Sequence, residues 1–213
     1  DPASLQSYVD SAVVAQQQQL KEQRIQQALA PYANATDEIM PVNIYGNPDA
    51  PVTLIEFANT QCSYCKKYHY VPRSLVDNSK GRINIEYRYK PLANFGAVAG
   101  HQAIASQCVA KVAGNRHFWA YLDIVYAKNP SSPQEFIDIA QSLGVNVKAL
   151  NECTTNNSVA DKLSRDSASS FQYSVTSTPT TVVRNNINED ARVLRGLQTD
   201  TSLIQSIKSV LGR

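Results

Sequence analysis

The chain has 213 residues, 43% of them hydrophobic and 18% charged, with 20 Lys and Arg set against 18 Asp and Glu. A net charge of +2 is too small to bring it onto nucleic acid or an acidic membrane surface, and no run of about 18 apolar residues is available to span a bilayer. The length suits one sizeable core with an appendage.

The chain opens DPASLQSYVD, with neither a basic start nor an apolar h-region. The expectation is a cytosolic chain or an exported one whose signal peptide has been removed. Residues 3 to 32 are rich in Ala, Gln, Leu and Lys and hold no Gly and no Pro before Pro31, a composition that favours helix. Leu5, Val9, Ala12, Gln16 and Leu20 make an apolar seam, and Ile25, Ala28, Leu29 and Tyr32 resume it. Such a stripe needs a partner. Residues 1–34 are therefore expected to be a helical arm that joins two or three copies of the chain, with a lone helix lying on its own body as the alternative.

Residues 35–51 read as a linker and lead-in, their NIYGNPDAP rich in turn residues. VTLIEFA, residues 52–58, is apolar and β-branched enough for a buried strand. CKKYHYVPRSLVDN follows with a helical pattern and a kink expected at Pro72, and RINIEYRYKPL, residues 82–92, alternates like a strand. About 80 residues of helical pattern come next, then two strands, TPTTVVRN and ARVLRG, and a closing amphipathic helix in TDTSLIQSIKSVLGR.

Four cysteines stand at 62, 65, 108 and 153. Cys62 and Cys65 form a C-x-x-C directly after the first buried strand, which suits a redox pair, half of a zinc site or an inert bridge. Zinc usually takes a second knuckle, and Cys108 and Cys153 are isolated from each other. An inert bridge across two residues constrains little of the unfolded chain. Four cysteines allow three pairings, and spacing alone does not choose among them. No metal and no cofactor are expected.

A C-x-x-C opening a helix after a buried strand, Thr178-Pro179 opening a late strand, and a helical block between them resemble the DsbA-like branch of the thioredoxin superfamily, over roughly residues 42 to 212. The resemblance implies an α/β thioredoxin fold at 52–212, with a helical insertion at about 93–174 and the helical arm ahead of it. It implies a reactive disulfide at Cys62 and Cys65 facing a cis Pro179, and a structural disulfide between Cys108 and Cys153. Cys62, at the helix N-terminus where a thiolate is favoured, would be the nucleophile and Cys65 the resolving thiol. Glu56, inward-facing if it shares a face with Leu54, would exchange a proton with Cys65. Lys90 could compensate its charge or lie in solvent, and His69 reads as packing or surface. Thr178, with Pro179, Ser63 and Tyr64, would meet an extended substrate. Tyr64 brings no cation to the thiolate, so a milder oxidant is expected than a histidine there would give.

These implications converge on an exported thiol:disulfide oxidoreductase in the periplasm, because a structural disulfide persists only in an oxidising compartment. Its partners would be cysteine-containing proteins, a membrane redox partner that resets Cys62 and Cys65, and copies of itself through residues 1–34. The arm favours a disulfide isomerase or reductase. A disulfide oxidase is the alternative, and a chaperone on the same scaffold is an alternative of a different class.

Overall fold

The computed structural model describes residues 2–90, 94 and 96–212, with nothing said of the side chains of Pro2 and Ala3. Pro91 and Leu92, at the end of the expected second strand, and residue 93, where the insertion was expected to begin, lie outside the described residues.

The first element is a long helix, α1 (Pro2–Leu29), closed by a 3-10 turn at Ala30–Tyr32. A five-stranded sheet follows from β1 (Asn43–Gly46), β2 (Val52–Ala58), β3 (Ile83–Tyr89), β4 (Thr180–Asn185) and β5 (Ala191–Arg195), in the order β1-β3-β2-β4-β5. β2 and β3 run parallel, and the other neighbours are antiparallel. The parallel pair is bridged by α2 (Ser63–Tyr68) and α3 (Val71–Asn78). Five helices fill the insertion: α4 (Gly96–Ala113), α5 (Asn115–Lys128), α6 (Pro133–Ser142), α7 (Val147–Thr155) and α8 (Ala160–Gln172). α9 (Asp200–Val210) closes the chain.

Local chemistry explains the boundaries. Ser132 and Glu135 form a reciprocal capping box at α6, and Asn146 caps α7 by accepting from the Ala149 N–H, which satisfies donors that a helix start leaves free. The expected single kinked helix after Cys62 is two helices. The break falls at His69 and Tyr70, and Pro72 lies in the first turn of α3, where its missing N–H costs nothing.

β2 is buried along its whole length because both of its faces are used. Val52, Leu54 and Ala58 join the main core with Ile85, Tyr87 and the aromatic residues of α5, while Ile55 and Phe57 pack with Val175 and Val182 behind the sheet. Glu56 lies on the same face as Leu54. It is 1% exposed.

The segment read as a linker contributes the edge strand β1. Its Ile44 exchanges hydrogen bonds with the side chain of Asn115, which donates to the Ile44 carbonyl and accepts from its N–H at 3.0 Å. One amide thereby satisfies both outward backbone groups of Ile44 on this edge of the sheet. The pattern of turn residues around Gly46 hid this strand, whose partner lies some 40 residues away in β3.

The base of the arm reaches into the body. Residues 4–24 are exposed, but Leu29 and Tyr32 are buried in the main core and Ile25 packs against it. A Cβ at Gly144 would approach Ile25 Cδ1 to 2.8 Å, so the arm seats on the body at a position kept small for it. Leu5, Val9 and Val13 are 66%, 45% and 46% exposed. By the 100° step of a helix they lie roughly half a turn from Ile25 and Leu29, on the side away from the body.

Candidate active site

β2 delivers the chain to a tight turn in which Asn59 Oδ1 accepts from Gln61 N–H at 2.9 Å and the Asn59 carbonyl accepts from Cys62 N–H at 3.0 Å. This turn ends the strand and sets Cys62 as the N-cap of α2, where its Sγ accepts from the Cys65 N–H at 3.3 Å. From the other side of the fold, the carbonyl of Thr178 lies 3.5 Å from Cys62 Sγ. The Thr178–Pro179 peptide bond is cis. Gly196 N–H donates to the Pro179 carbonyl at 2.9 Å, tying this loop to the end of β5.

The two cysteines are unlike. A hydrogen bond from the Cys65 side chain, helped by Thr178 and by the N–H groups of Cys65 and Tyr64, lowers the Cys62 thiol to about 5 against the opposing effect of burial. Burial, together with the hydrogen bond to Cys62, pushes the Cys65 thiol far above its ordinary value. Ser63 is exposed and Tyr64 is 58% exposed, so both lie at the surface beside Cys62.

Burial raises Glu56 to about 8, with the Cys62 charge adding to the rise and Arg73 opposing it. Neither carboxylate oxygen has a hydrogen-bond partner. Lys90 is in neither of its expected places: it is buried, donates from Nζ to Ser170 Oγ at 2.8 Å and lies 4.7 Å from the Phe171 ring. It serves α8 rather than Glu56, and Arg73 is the basic group that acts on Glu56.

Cys108 and Cys153 are bonded at an S–S distance of 2.05 Å, joining α4 to α7. His69 is a packing residue whose ring stacks on Trp119 at 5.9 Å. Its Nε2 lies 2.7 Å from Asp123 Oδ1. Asp123 also accepts from Arg73 at 2.8 Å and from the Tyr32 hydroxyl at 2.5 Å. Sequence reasoning missed this network, since its four members lie on four separate elements and share no periodic pattern. Among the described residues no group of three or more His, Cys, Asp or Glu is placed to hold a metal ion.

This combination of fold and site has relatives. The family model described as Thioredoxin matches residues 38–199, and the chain belongs to that family. Within it, the fold is of the DsbA-like kind.

Among solved structures, DsbA2 of Pseudomonas aeruginosa is 25% identical, with a TM-score of 0.68 over 79% of this chain and 93% of its own. BcfH of Salmonella enterica Typhimurium is 19% identical with a TM-score of 0.67, and its match covers 98% of this chain and 89% of its own, so it runs into α1. Disulfide bond formation protein D of Bacillus subtilis is 24% identical over an aligned length of 156 residues, with 68% of this chain and 68% of its own covered. A stretch of 155 residues is also 26% identical to the Na(+)/H(+) antiporter NhaA of Herminiimonas arsenicoxydans, covering 72% of this chain but spanning only 23% of the antiporter's length. Among the described residues of this chain, no helix is long and apolar enough to cross a membrane.

Proposed function

We propose that this chain is an exported disulfide isomerase or reductase acting on misfolded or partly folded proteins. The observation that carries the chemistry is the asymmetry of the pair: Cys62 is held at about 5 opposite the cis Thr178–Pro179 bond, while Cys65 is buried behind it with its thiol far above the ordinary range. A low-lying thiolate is the attacking species in exchange.

In that reaction the Cys62 thiolate attacks one sulfur of a substrate disulfide. The substrate S–S bond breaks, a mixed disulfide forms, and the leaving sulfur takes a proton. For isomerisation, another thiolate of the substrate attacks the mixed disulfide and releases Cys62 unchanged. For reduction, Cys65 gives its proton to Glu56 and attacks Cys62 Sγ, so that Cys62 and Cys65 are oxidised to a disulfide and the second substrate thiolate leaves. The Cys62 charge is one cause of the raised Glu56 value. Formation of the mixed disulfide removes that charge, and Glu56 becomes a better-ionised base at the step where Cys65 must be deprotonated.

The exposed stripe through Leu5, Val9 and Val13 supports association of two or three copies through α1, which would set several Cys62 sites around one bound chain. The Cys108–Cys153 bond supports an exported, periplasmic setting, because the cytosol keeps thiols reduced. A membrane redox partner would reset Cys62 and Cys65.

One observation favours the oxidase reading instead. A Cys62 thiol near 5 stabilises the reduced form, and a stabilised reduced form makes a more oxidising disulfide. Acid trapping and alkylation in the native compartment decides between the two. Cys62 and Cys65 recovered as free thiols support the isomerase or reductase, and recovery as a disulfide overturns it in favour of the oxidase.

A further inference from the structure

The residue just before the nucleophile is held from inside the helical insertion. Gln61 Nε2 donates to Gln102 Oε1 at 3.0 Å and also to Asn129 Oδ1. Gln102 lies on α4 and is fully buried. Its own Nε2 donates to Asn129 Oδ1 at 3.1 Å and to the Pro130 carbonyl at 2.7 Å. Asn129 caps the C-terminus of α5 in the left-handed region, with φ 50°, which turns the chain so that its side chain and the Pro130 carbonyl meet the same amide. Three amides from three parts of the chain thus share one cluster. Gln102 uses its oxygen and both of its N–H donors within it.

Of the three amides Gln102 is fully buried, Gln61 half-buried and Asn129 exposed, so a movement of Gln61 takes from the buried Gln102 Oε1 the donor it accepts from. The backbone runs from Gln61 directly into Cys62, whose Sγ rests 3.3 Å from the Cys65 N–H. That contact depends on where the Gln61–Cys62 peptide is held. A second contact pulls in the same direction: Lys66 Nζ donates to the Ala127 carbonyl at 3.4 Å, drawing the far side of α2 onto the end of α5.

We infer that Gln102 is a positioning residue for Cys62: through Gln61 and Asn129 the helical insertion fixes the catalytic turn, so that the sulfur is held over the start of α2. Gln102 itself is not assigned a contact with substrate. The inference rests on the reading of Cys62 as the nucleophile and adds to it a role for the insertion, which becomes part of what tunes the thiol as well as a cover for the sheet.

The test follows the pH dependence of Cys62 alkylation by iodoacetamide in the reduced full-length protein, comparing wild type with Gln102→Met, Gln61→Ala and the double variant. Met keeps the bulk of Gln102 and removes its hydrogen bonds. Each single substitution is expected to raise the alkylation midpoint by about one pH unit, about a tenfold loss of rate below both midpoints. The double variant should go no further than either single one, because both act through one cluster.

A merely structural Gln102 would lower the melting temperature while leaving the midpoint unmoved, and that result overturns the inference, as would additive shifts in the double variant. Should Gln102→Met fail to fold, Asn129→Ala takes its place, since Asn129 accepts from both glutamines. A shared rise in Gln61→Ala and Asn129→Ala then supports the inference, and an unchanged midpoint in either one overturns it. A wild-type midpoint near the ordinary thiol value of about 8.5 would instead remove the reading of Cys62 itself.

Discussion

His69 and Asp123 meet at 2.7 Å, joining the C-cap of α2 to the middle of α5, with the imidazole fully buried. Burial by itself would raise the Asp123 carboxyl, but His69, Arg73 and Tyr32 together hold it below its ordinary value. Arg73 depends on this carboxylate, which it meets with two hydrogen bonds at 2.8 and 2.9 Å. Asp123→Asn keeps the shape and removes the charge, leaving Arg73 largely buried without its counter-ion. Urea unfolding is expected to show a loss of about 3 kcal/mol or more; a loss under about 1 kcal/mol would mean that solvent already screens the pair.

Cys62 and Cys65 should separate cleanly in rate. Both sulfurs are buried, Cys62 at 5% exposure and Cys65 at 0%, but Cys62 is mostly thiolate at pH 7 and Cys65 is not, so iodoacetamide is expected to label Cys62 in the reduced protein at least about a hundredfold faster. Peptide mapping after a short pulse reads the ratio. Preferential label on Cys65 would reverse the two roles.

The pH dependence of stability in the reduced protein carries two opposing slopes. Cys62 falls from 9.0 to about 5 on folding, so its contribution grows as pH rises from 5 towards 9 and is lost as pH falls through 5. Glu56 rises from 4.5 to about 8, so its contribution is complete below 4.5 and is lost as pH rises through 8. Between pH 5 and 8 the two oppose each other. Glu56→Gln should therefore gain stability more steeply with pH across that window than wild type, and Cys62→Ala should lose it. Parallel curves for Glu56→Gln and wild type would show that Glu56 titrates as an ordinary carboxyl.

Within residues 1–22, residues 4–22 are exposed helix, and the chain without residues 1–22 should fold, sediment as a monomer and keep its reactivity towards small disulfides. Removing residues 1–34 is a different experiment. It strips Leu29 and Tyr32 from the core at about 2–5 kcal/mol apiece, and the Asn34 carbonyl, which accepts from Gly46 N–H at 3.0 Å, goes with them. Thermal melts of the two truncations should differ clearly. Matching melts would show that the base of the arm contributes nothing to the body.

Much of this architecture was legible from residue pattern. VTLIEFA announces a buried strand by its β-branched run, and the five helices of the insertion follow their residue pattern, with Ser132 and Asn146 capping two of them. β1 was not legible, because four residues rich in turn formers become a strand only when β3 and Asn115 supply partners from far along the chain. Within the site, Cys62, Cys65 and Pro179 stand in motifs, whereas Gln102, Asp123 and Arg73 belong to no motif and acquire their partners through tertiary packing alone. Lys90 shows the converse hazard. Its position at the end of β3 invites a pairing with Glu56, yet the register directs it towards Ser170.

The placement of the seat of α1 opposite its free stripe makes the helix both a ruler and a phase setter. Each residue between Val13 and Ile25 adds about 1.5 Å of reach and about 100° of rotation. Seven extra residues there would carry the stripe about 10 Å further from Ile25 along the helix and turn it by only about 20°. Two extra residues would scarcely change the reach, but they would swing the stripe by roughly 200° to the side of the body. Distance and orientation between a Cys62 and any neighbouring copy can therefore be changed independently, by insertions in a segment that touches neither the core nor the active site.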